Sequence, residues 1–242
     1  MPVAILMPVF DEASRLARTL ERVRERAEAM GGVTVFVVDD GSERAVDGST
    51  LPGPGDAFRV VLARHVVNLG QGAALETARQ LALRSAELDV FVTMDSDGQH
   101  CADDALSLVQ AVRAGADVAF GDRFLGDSEI PPSRRALLHG ARVFERVLTG
   151  LCLNDAHNGL RAFSRRAIER IPLRQSRMAH ATEIKQRIAR ARASAEGPSL
   201  TLVEVPVTVR YSSDTRAKGQ RASGAALILR DLLGQYLFGE AE

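Results

Sequence analysis

Cysteine is scarce in this 242-residue sequence: there are two, Cys101 and Cys152. Neither belongs to a CxxC pair or a Cys/His cluster, which argues against a disulfide scaffold and a structural zinc site. A reduced, cytoplasmic setting is expected. Net charge is missing too. Lys plus Arg and Asp plus Glu each number 31, which speaks against a broad basic face wrapped on nucleic acid. No apolar run approaches the roughly 20 residues needed to cross a bilayer. The opening MPVAILMPVFDE has neither a basic leader nor a small-residue cleavage site. What remains is 45% apolar and 26% charged, an ordinary globular composition that suits one large domain.

Along the chain, short apolar runs alternate with helical patterns. Val3 to Val9, Val33 to Val38, Arg59 to Ala63, Asp89 to Met94 and Asp117 to Phe120 read as strands. Between them, Leu16, Leu20, Val23, Ala27 and Met30 keep helical spacing, Gly72 to Arg84 opens after a turn, and a further helix starts at Asp103 or Asp104. This alternation predicts an α/β fold with a mostly parallel sheet flanked by helices. The second half is less regular. Helices are expected at about 135–150 and 180–195, a short strand at Leu160 to Phe163, and a late strand at Leu202 to Tyr211. Residues 126–134 and the basic SSDTRAKGQRASG read as loops, and Ala225 to Phe238 as an amphipathic helix. That helix suits core or dimer packing better than a membrane-surface anchor, because it is poor in basic residues.

In parallel sheets, ligands bind beyond the carboxyl ends of the strands. Three predicted strands end there in polar residues: Pro8 to Glu12, Asp39 to Ser42, and Asp95 to His100. Asp95 and Asp97, one residue apart, can meet a hard divalent cation such as Mg²⁺, or simply form a solvated Asx turn. Asp39 and Asp40 can accept from a base or a ribose, or only end a strand. The glycines of Asn68-Leu69-Gly70-Gln71-Gly72 allow close approach of backbone to a ligand, and the helix start favours anions. The pattern is neither GxGxxG nor a Walker loop. Arg123, Arg134, Arg210 and Lys218 sit in or beside loops and are candidate phosphate contacts. Glu183 is a candidate general base or an exposed helix carboxylate. His100 could face a metal or a substrate, and a contact of Asp155 with Arg161 would be structural.

PVFDE, VVDDGS, NLGQGAA, TMDSDGQH, GDRFL, NGLRAFSRRA, HATEI and VPVTVRYSSDTRAKGQ, in that order, resemble the family-two glycosyltransferases. They are most similar to the dolichyl- or polyprenyl-phosphate sugar transferases. The resemblance covers nearly the whole chain. It implies a GT-A fold, with residues 1–122 as a nucleotide-binding half and 123–242 as an acceptor-binding half of one domain. It implies a UDP- or GDP-linked sugar donor in a pocket lined by Pro8, Phe10, Asp11, Glu12, Asp39, Asp40, Gly70, Asp95 and Ser96. Asp95 and Asp97 match the motif that holds Mg²⁺ or Mn²⁺, and Gln99 lies in the same segment. Arg123 matches the arginine of the family's Gly-Ser-Arg segment and is, with Asp97 and Glu183, a candidate catalytic residue, and Arg210 and Lys218 match late basic positions that face phosphates. Gln71 departs from a frequent lysine, and Asp122 from the usual serine.

The implied reaction is inverting, metal-dependent sugar transfer to a polyprenyl phosphate. That acceptor is already anionic and needs cations, with Arg134 among the candidates, rather than a base. With no carboxy-terminal membrane helix in the sequence, a lipid acceptor is expected to be met from the membrane surface, and the expected location is the cytoplasm or the inner face of the cell membrane. Alternatives are transfer to a sugar or glycan hydroxyl in cell-envelope polysaccharide synthesis, where Glu183 would be the base, and a non-catalytic nucleotide-sugar binding module. A nucleotidyltransferase is disfavoured, because PVFDEASR lacks that class's glycine-rich basic loop.

Overall fold

The computed structural model describes residues 1–209, apart from 127–138, 141, 144, 148, 156, 157, 178 and 195–197. The strands are β1 Val3–Val9, β2 Val33–Asp39, β3 Phe58–Arg64, β4 Val90–Thr93, β5 Val118–Asp122, β6 Arg161–Ser164 and β7 Leu202–Pro206. The helices are α1 Ala13–Arg24, α2 Gln71–Leu83, α3 Ala102–Arg113, α4 Arg165–Glu169 and α5 His180–Ala193. The described residues between 139 and 149 are helical as well. The seven strands form one sheet in the order β3-β2-β1-β4-β6-β5-β7.

All seven residues of β1 are buried, because helices cover both faces of the sheet. On one face Leu16, Leu20 and Val23 of α1 and Ala105, Leu108, Val109 and Val112 of α3 pack against Val3, Ile5, Met7, Val35 and Val92. On the other, Ala74, Leu75, Ala78 and Ala82 of α2 and Ile184 and Ile188 of α5 pack against Ala4, Leu6, Phe36, Phe91 and Phe163. Helical spacings of three and four residues meet alternate residues of the strands, so the two periodicities close two apolar layers. Each fully buried Leu, Ile or Phe contributes roughly 1.5–3 kcal/mol by leaving water.

The connectivity positions the site. After β1 the chain builds outward through β2 and β3, then returns to place β4 on β1's other side; all four strands are parallel. The carboxyl ends of β1 and β4 therefore flank a topological switch point, where departing loops diverge and leave a crevice. The sheet is mostly parallel, as expected, but β6 runs antiparallel to both β4 and β5. The expected late strand ends at Pro206 rather than running on toward Tyr211, and the expected helix at 225–238 lies outside the described residues. Among the described residues no helix is long and apolar enough to cross a membrane.

Candidate active site

At the switch point lies an open cleft of about 480 Å³. The end of β1 contributes Pro8, Val9, Phe10 and Glu12, and the end of β2 contributes Asp40. The turn before α2 adds Asn68, Gly70 and Gln71, and the end of β4 adds Asp95, Ser96 and Asp97. Arg177, from the segment before α5, completes the lining. The structure thus gathers Pro8, Phe10, Glu12, Asp40, Gly70, Asp95, Ser96 and Asp97 from the sequence reading. It adds Arg177, which sequence reasoning passed over.

The β4 turn is held from several sides. Asp95 Oδ1 accepts from the Gln71 side-chain amide at 3.0 Å. The Asp95 N–H donates to His100 Nδ1 at 3.3 Å, which leaves the proton of a neutral His100 on Nε2, 3.8 Å from Asp95 Oδ2. His100 is buried and braces the turn. Asp97 accepts from the Gln99 N–H at 2.9 Å and from the Gln99 side-chain amide. Ser96 is tied through its carbonyl to Thr19 Oγ1 of α1 at 3.1 Å. Behind Asp95 stands Gly159: a Cβ built there would lie 2.7 Å from Asp95 Oδ2. Among the described residues no three His, Cys, Asp or Glu side chains gather into a metal cage. Two carboxylates on a cleft wall instead fit a cation that takes few protein ligands and fills its shell with phosphate oxygens and water, as Mg²⁺ does.

Asp39 and Asp40 are built into the chain. Asp39 accepts from the Ser42 and Val46 N–H groups at 3.0 and 3.1 Å. Burial alone would raise its carboxyl, but these bonds and Arg64 outweigh it and hold Asp39 below the ordinary carboxylate value. Asp40 accepts from the Leu69 and Gly70 N–H groups at 3.0 and 2.7 Å and meets His65 Nδ1 at 2.7 Å. It fixes the turn that opens α2 while its edge lines the cleft. Asp11 is not in the cleft lining. It sits at φ 51°, a left-handed position that Asp tolerates, and its carboxylate accepts from the Glu43 N–H at 3.0 Å.

Two expectations about the helix start and about Glu183 change in the structure. The N–H groups of Gly72 and Ala73, expected to face an anion, donate to the carbonyl of Ser176 at 2.8 and 3.3 Å. A Cβ on Gly70 or Gly72 would meet the Ser176 or Gln175 carbonyl oxygen at 2.2 or 1.9 Å. The close approach these glycines permit is therefore to the chain itself. Glu183 is neither exposed nor part of the cleft lining. Its carboxylate accepts from the N–H groups of Arg174 and Gln175 at 2.8–3.0 Å and from the Arg187 guanidinium at 2.7 and 2.9 Å. That makes Glu183 a loop anchor rather than the exposed helix carboxylate of the alternative reading.

Arg123 is buried, and its Nε lies 2.5 Å from Asp155 Oδ2. Asp155 thus pairs with Arg123, and it acts on Arg161 only through its charge. Arg161 is buried in the field of Asp95, Glu145 and Asp155; burial pulls its pKa down and the carboxylates oppose that. Beside it, burial lowers Lys185 to about 8 against the pull of Glu145, 2.8 Å away. Burial also pushes His180 down to about 4, so its ring is neutral near pH 7 and its Nδ1 donates to the Arg177 carbonyl at 2.7 Å. Gln99 is beside the cleft lining rather than in it. Arg134, Arg210 and Lys218 lie outside the described residues.

A model of glycosyl transferase family 2 matches residues 4–172, which take in every strand through β6 and all of the cleft lining except Arg177. The chain belongs to this family. It is a glycosyltransferase with the GT-A fold. Among relatives of this family-two chain is the polyprenol monophosphomannose synthase of Mycolicibacterium smegmatis, 32% identical over 70% of this chain and 64% of that protein. Another is the undecaprenyl-phosphate mannosyltransferase of Micrococcus luteus, 29% identical over 86% of this chain and 83% of that one. In three dimensions the chain is similar to glucosyl-3-phosphoglycerate synthase from Mycobacterium tuberculosis, solved in complex with Mn²⁺ and uridine-diphosphate-glucose. The TM-score is 0.66 at 15% identity, covering 98% of this chain and 78% of that one.

Proposed function

We propose that this family-two glycosyltransferase transfers a sugar from a nucleotide-diphosphate sugar to a polyprenyl phosphate, with inversion at the anomeric carbon. The observation that carries the reading is the pairing of Asp95 and Asp97 on the wall of a cleft at the β1/β4 switch point. The names of the lipid-phosphate relatives support the acceptor class.

In this reading the end of β1 and the Asp40-braced turn receive the nucleoside. Asp95 and Asp97 would hold Mg²⁺ or Mn²⁺, which supplies positive charge to a departing diphosphate. Gln71 and His100 orient Asp95 and its backbone before the donor arrives, so little reorganisation is left for the reaction itself. A phosphate oxygen of the acceptor attacks the anomeric carbon. The bond from that carbon to the diphosphate oxygen breaks, and its electron pair leaves with the nucleoside diphosphate. The acceptor is already an anion and needs no proton removed. This agrees with Glu183 being engaged by backbone and Arg187 rather than facing the cleft. Residues 123–242 would contribute the acceptor side, with Arg134, Arg210 and Lys218 as candidate phosphate contacts. A lipid acceptor places the working enzyme at the membrane's cytoplasmic surface.

The test is a matrix of purified enzyme with UDP- and GDP-sugars against a polyprenyl phosphate, the matching polyprenol and glycan acceptors, with Mn²⁺ or EDTA. Metal-dependent transfer to the lipid phosphate is expected. Transfer only to a glycan hydroxyl would replace the acceptor assignment, and nucleotide-sugar binding without any turnover would overturn the catalytic reading.

A further inference from the structure

Each residue of the segment 173–177 has a backbone group bonded to another part of the chain. The Leu173 N–H donates to Glu76 Oε2 of α2 at 2.8 Å. The Arg174 and Gln175 N–H groups end on Glu183 of α5. The Ser176 carbonyl caps α2 through Gly72 and Ala73. The Arg177 carbonyl accepts from both the N–H and the Nδ1 of His180, at 3.1 and 2.7 Å. These bonds hold the segment against α2 and α5, with Arg177 on the cleft wall.

The wall is otherwise acidic. Glu12, Asp40, Asp95 and Asp97 all line it, and among the described lining residues Arg177 is the one cation. Arg177 forms no ion pair with a described residue and is exposed. An arginine held beside carboxylates, yet paired with none of them, is arranged for an anion that arrives from outside. The planar guanidinium suits phosphate oxygens, which it can grip with two parallel N–H bonds. We infer that Arg177 binds the diphosphate of the donor, and that Glu183 is a positioning residue acting through the 173–177 segment. The inference rests on the nucleotide-sugar reading above and adds to it a phosphate contact and a purpose for Glu183. It also explains why positions 70 and 72 are glycine: any side chain there would push the segment off α2.

The experiment measures dissociation constants, with Mn²⁺ present, for UDP, GDP and their parent nucleosides. The proteins are the wild type, Arg177→Ala, Arg177→Lys, Glu183→Gln and the double variant Arg177→Ala/Glu183→Gln. Arg177→Ala should weaken the nucleoside diphosphate about ten- to a hundredfold, the span of a charge-assisted bond, and the nucleoside less than about twofold. Lysine should restore part of the loss. Glu183→Gln should weaken the diphosphate alone, and the double variant should bind no worse than Arg177→Ala, because the two act as one unit. Unchanged diphosphate binding by Arg177→Ala, or an equal loss for the nucleoside, would overturn the phosphate assignment. Additive losses in the double variant would overturn the positioning role. Arg177 is exposed, so its variants test the phosphate contact even if Glu183→Gln fails to fold. A wild type that binds neither diphosphate would sink the underlying reading instead, a result distinguishable from the others.

Discussion

Gln71, the first residue of α2, donates its side-chain amide to Oδ1 of Asp95 at 3.0 Å and so ties the helix to the end of β4. Asp95 has one oxygen steadied by this bond and the other turned toward Gly159. Replacing Gln71 with leucine removes the donor while keeping most of the volume. Outer bonds of this kind typically change metal affinity about ten- to a hundredfold. The Mn²⁺ concentration for half-maximal turnover should rise by that factor in Gln71→Leu, with the melting temperature little changed. An unaltered metal titration would show that the bond plays no part in cation binding.

Among the described residues, Asp97 hydrogen-bonds within its own turn, to Gln99. Asp97→Ala should therefore cost little stability, within about 0.5 kcal/mol as for surface changes. Turnover should fall by roughly a thousandfold, corresponding to several kcal/mol of lost transition-state charge stabilisation. Steady-state kinetics beside thermal unfolding checks both halves. Turnover near the wild-type level would remove Asp97 from the metal site.

Gly72 and Gly159 separate stability from activity. At Gly72 an added methyl meets a backbone oxygen at 1.9 Å, so the 173–177 segment must move. Gly72→Ala should destabilise by about 1–3 kcal/mol in urea unfolding. At Gly159 the obstacle is the Asp95 carboxylate, which can swing aside. Gly159→Ala should keep its stability and lose metal-dependent turnover. Equal stability losses in the two variants would contradict this division.

Asp155 is buried and bonds the N–H and Nε of buried Arg123 at 3.1 and 2.5 Å. Removing one member of such a pair leaves a buried charge without that partner, a loss of about 3–5 kcal/mol. Asp155→Ala should show this in chemical denaturation. A cost below about 1 kcal/mol, the value for exposed pairs, would mean that water reaches Arg123.

His180 predicts an acid limb. Its folded pKa of about 4 lies below the ordinary histidine value. As pH falls below about 6.5 the unfolded chain takes up a proton that the folded one refuses. Stability contributed by the neutral ring is thus complete above that pH and drains away toward pH 4. The loss amounts to about 3 kcal/mol at most, at roughly 1.4 kcal/mol per pH unit. Unfolding free energies between pH 7 and 4 should fall less steeply in His180→Gln than in the wild type. Parallel slopes would place the responsible proton elsewhere.

Much of the fold and most of the cleft lining were legible in the residues. Val3–Val9, Val33–Asp39 and Val90–Thr93 are largely apolar on both faces and lead into polar turns, so both the parallel sheet and its polar rim follow from local pattern. The Asp95/Asp97 pair was visible because two carboxylates after a buried strand need a reason. Arg177 carried no such mark. It lies in a run with Arg174 and next to no acidic motif, and what brings it to the cleft is the docking of 173–177 on α2. Glu183 misled because an acidic residue in the first turn of a helix looks exposed. Its burial depends on backbone N–H groups eight and nine residues earlier in the chain. Likewise, Gly70 and Gly72 announced a close approach without saying what approaches.

By itself the sequence determined the alternation of strand and helix, the composition of both apolar layers and the acidic rim, since these depend on residue type and short-range period. Tertiary structure alone decided that β6 enters antiparallel between β4 and β5, that Asp155 meets Arg123, and that a distant loop caps α2 and delivers Arg177. Local propensity covers a few residues. A carboxylate's partner is whichever donor the packed chain brings within about 3 Å, and separation along the sequence does not record that.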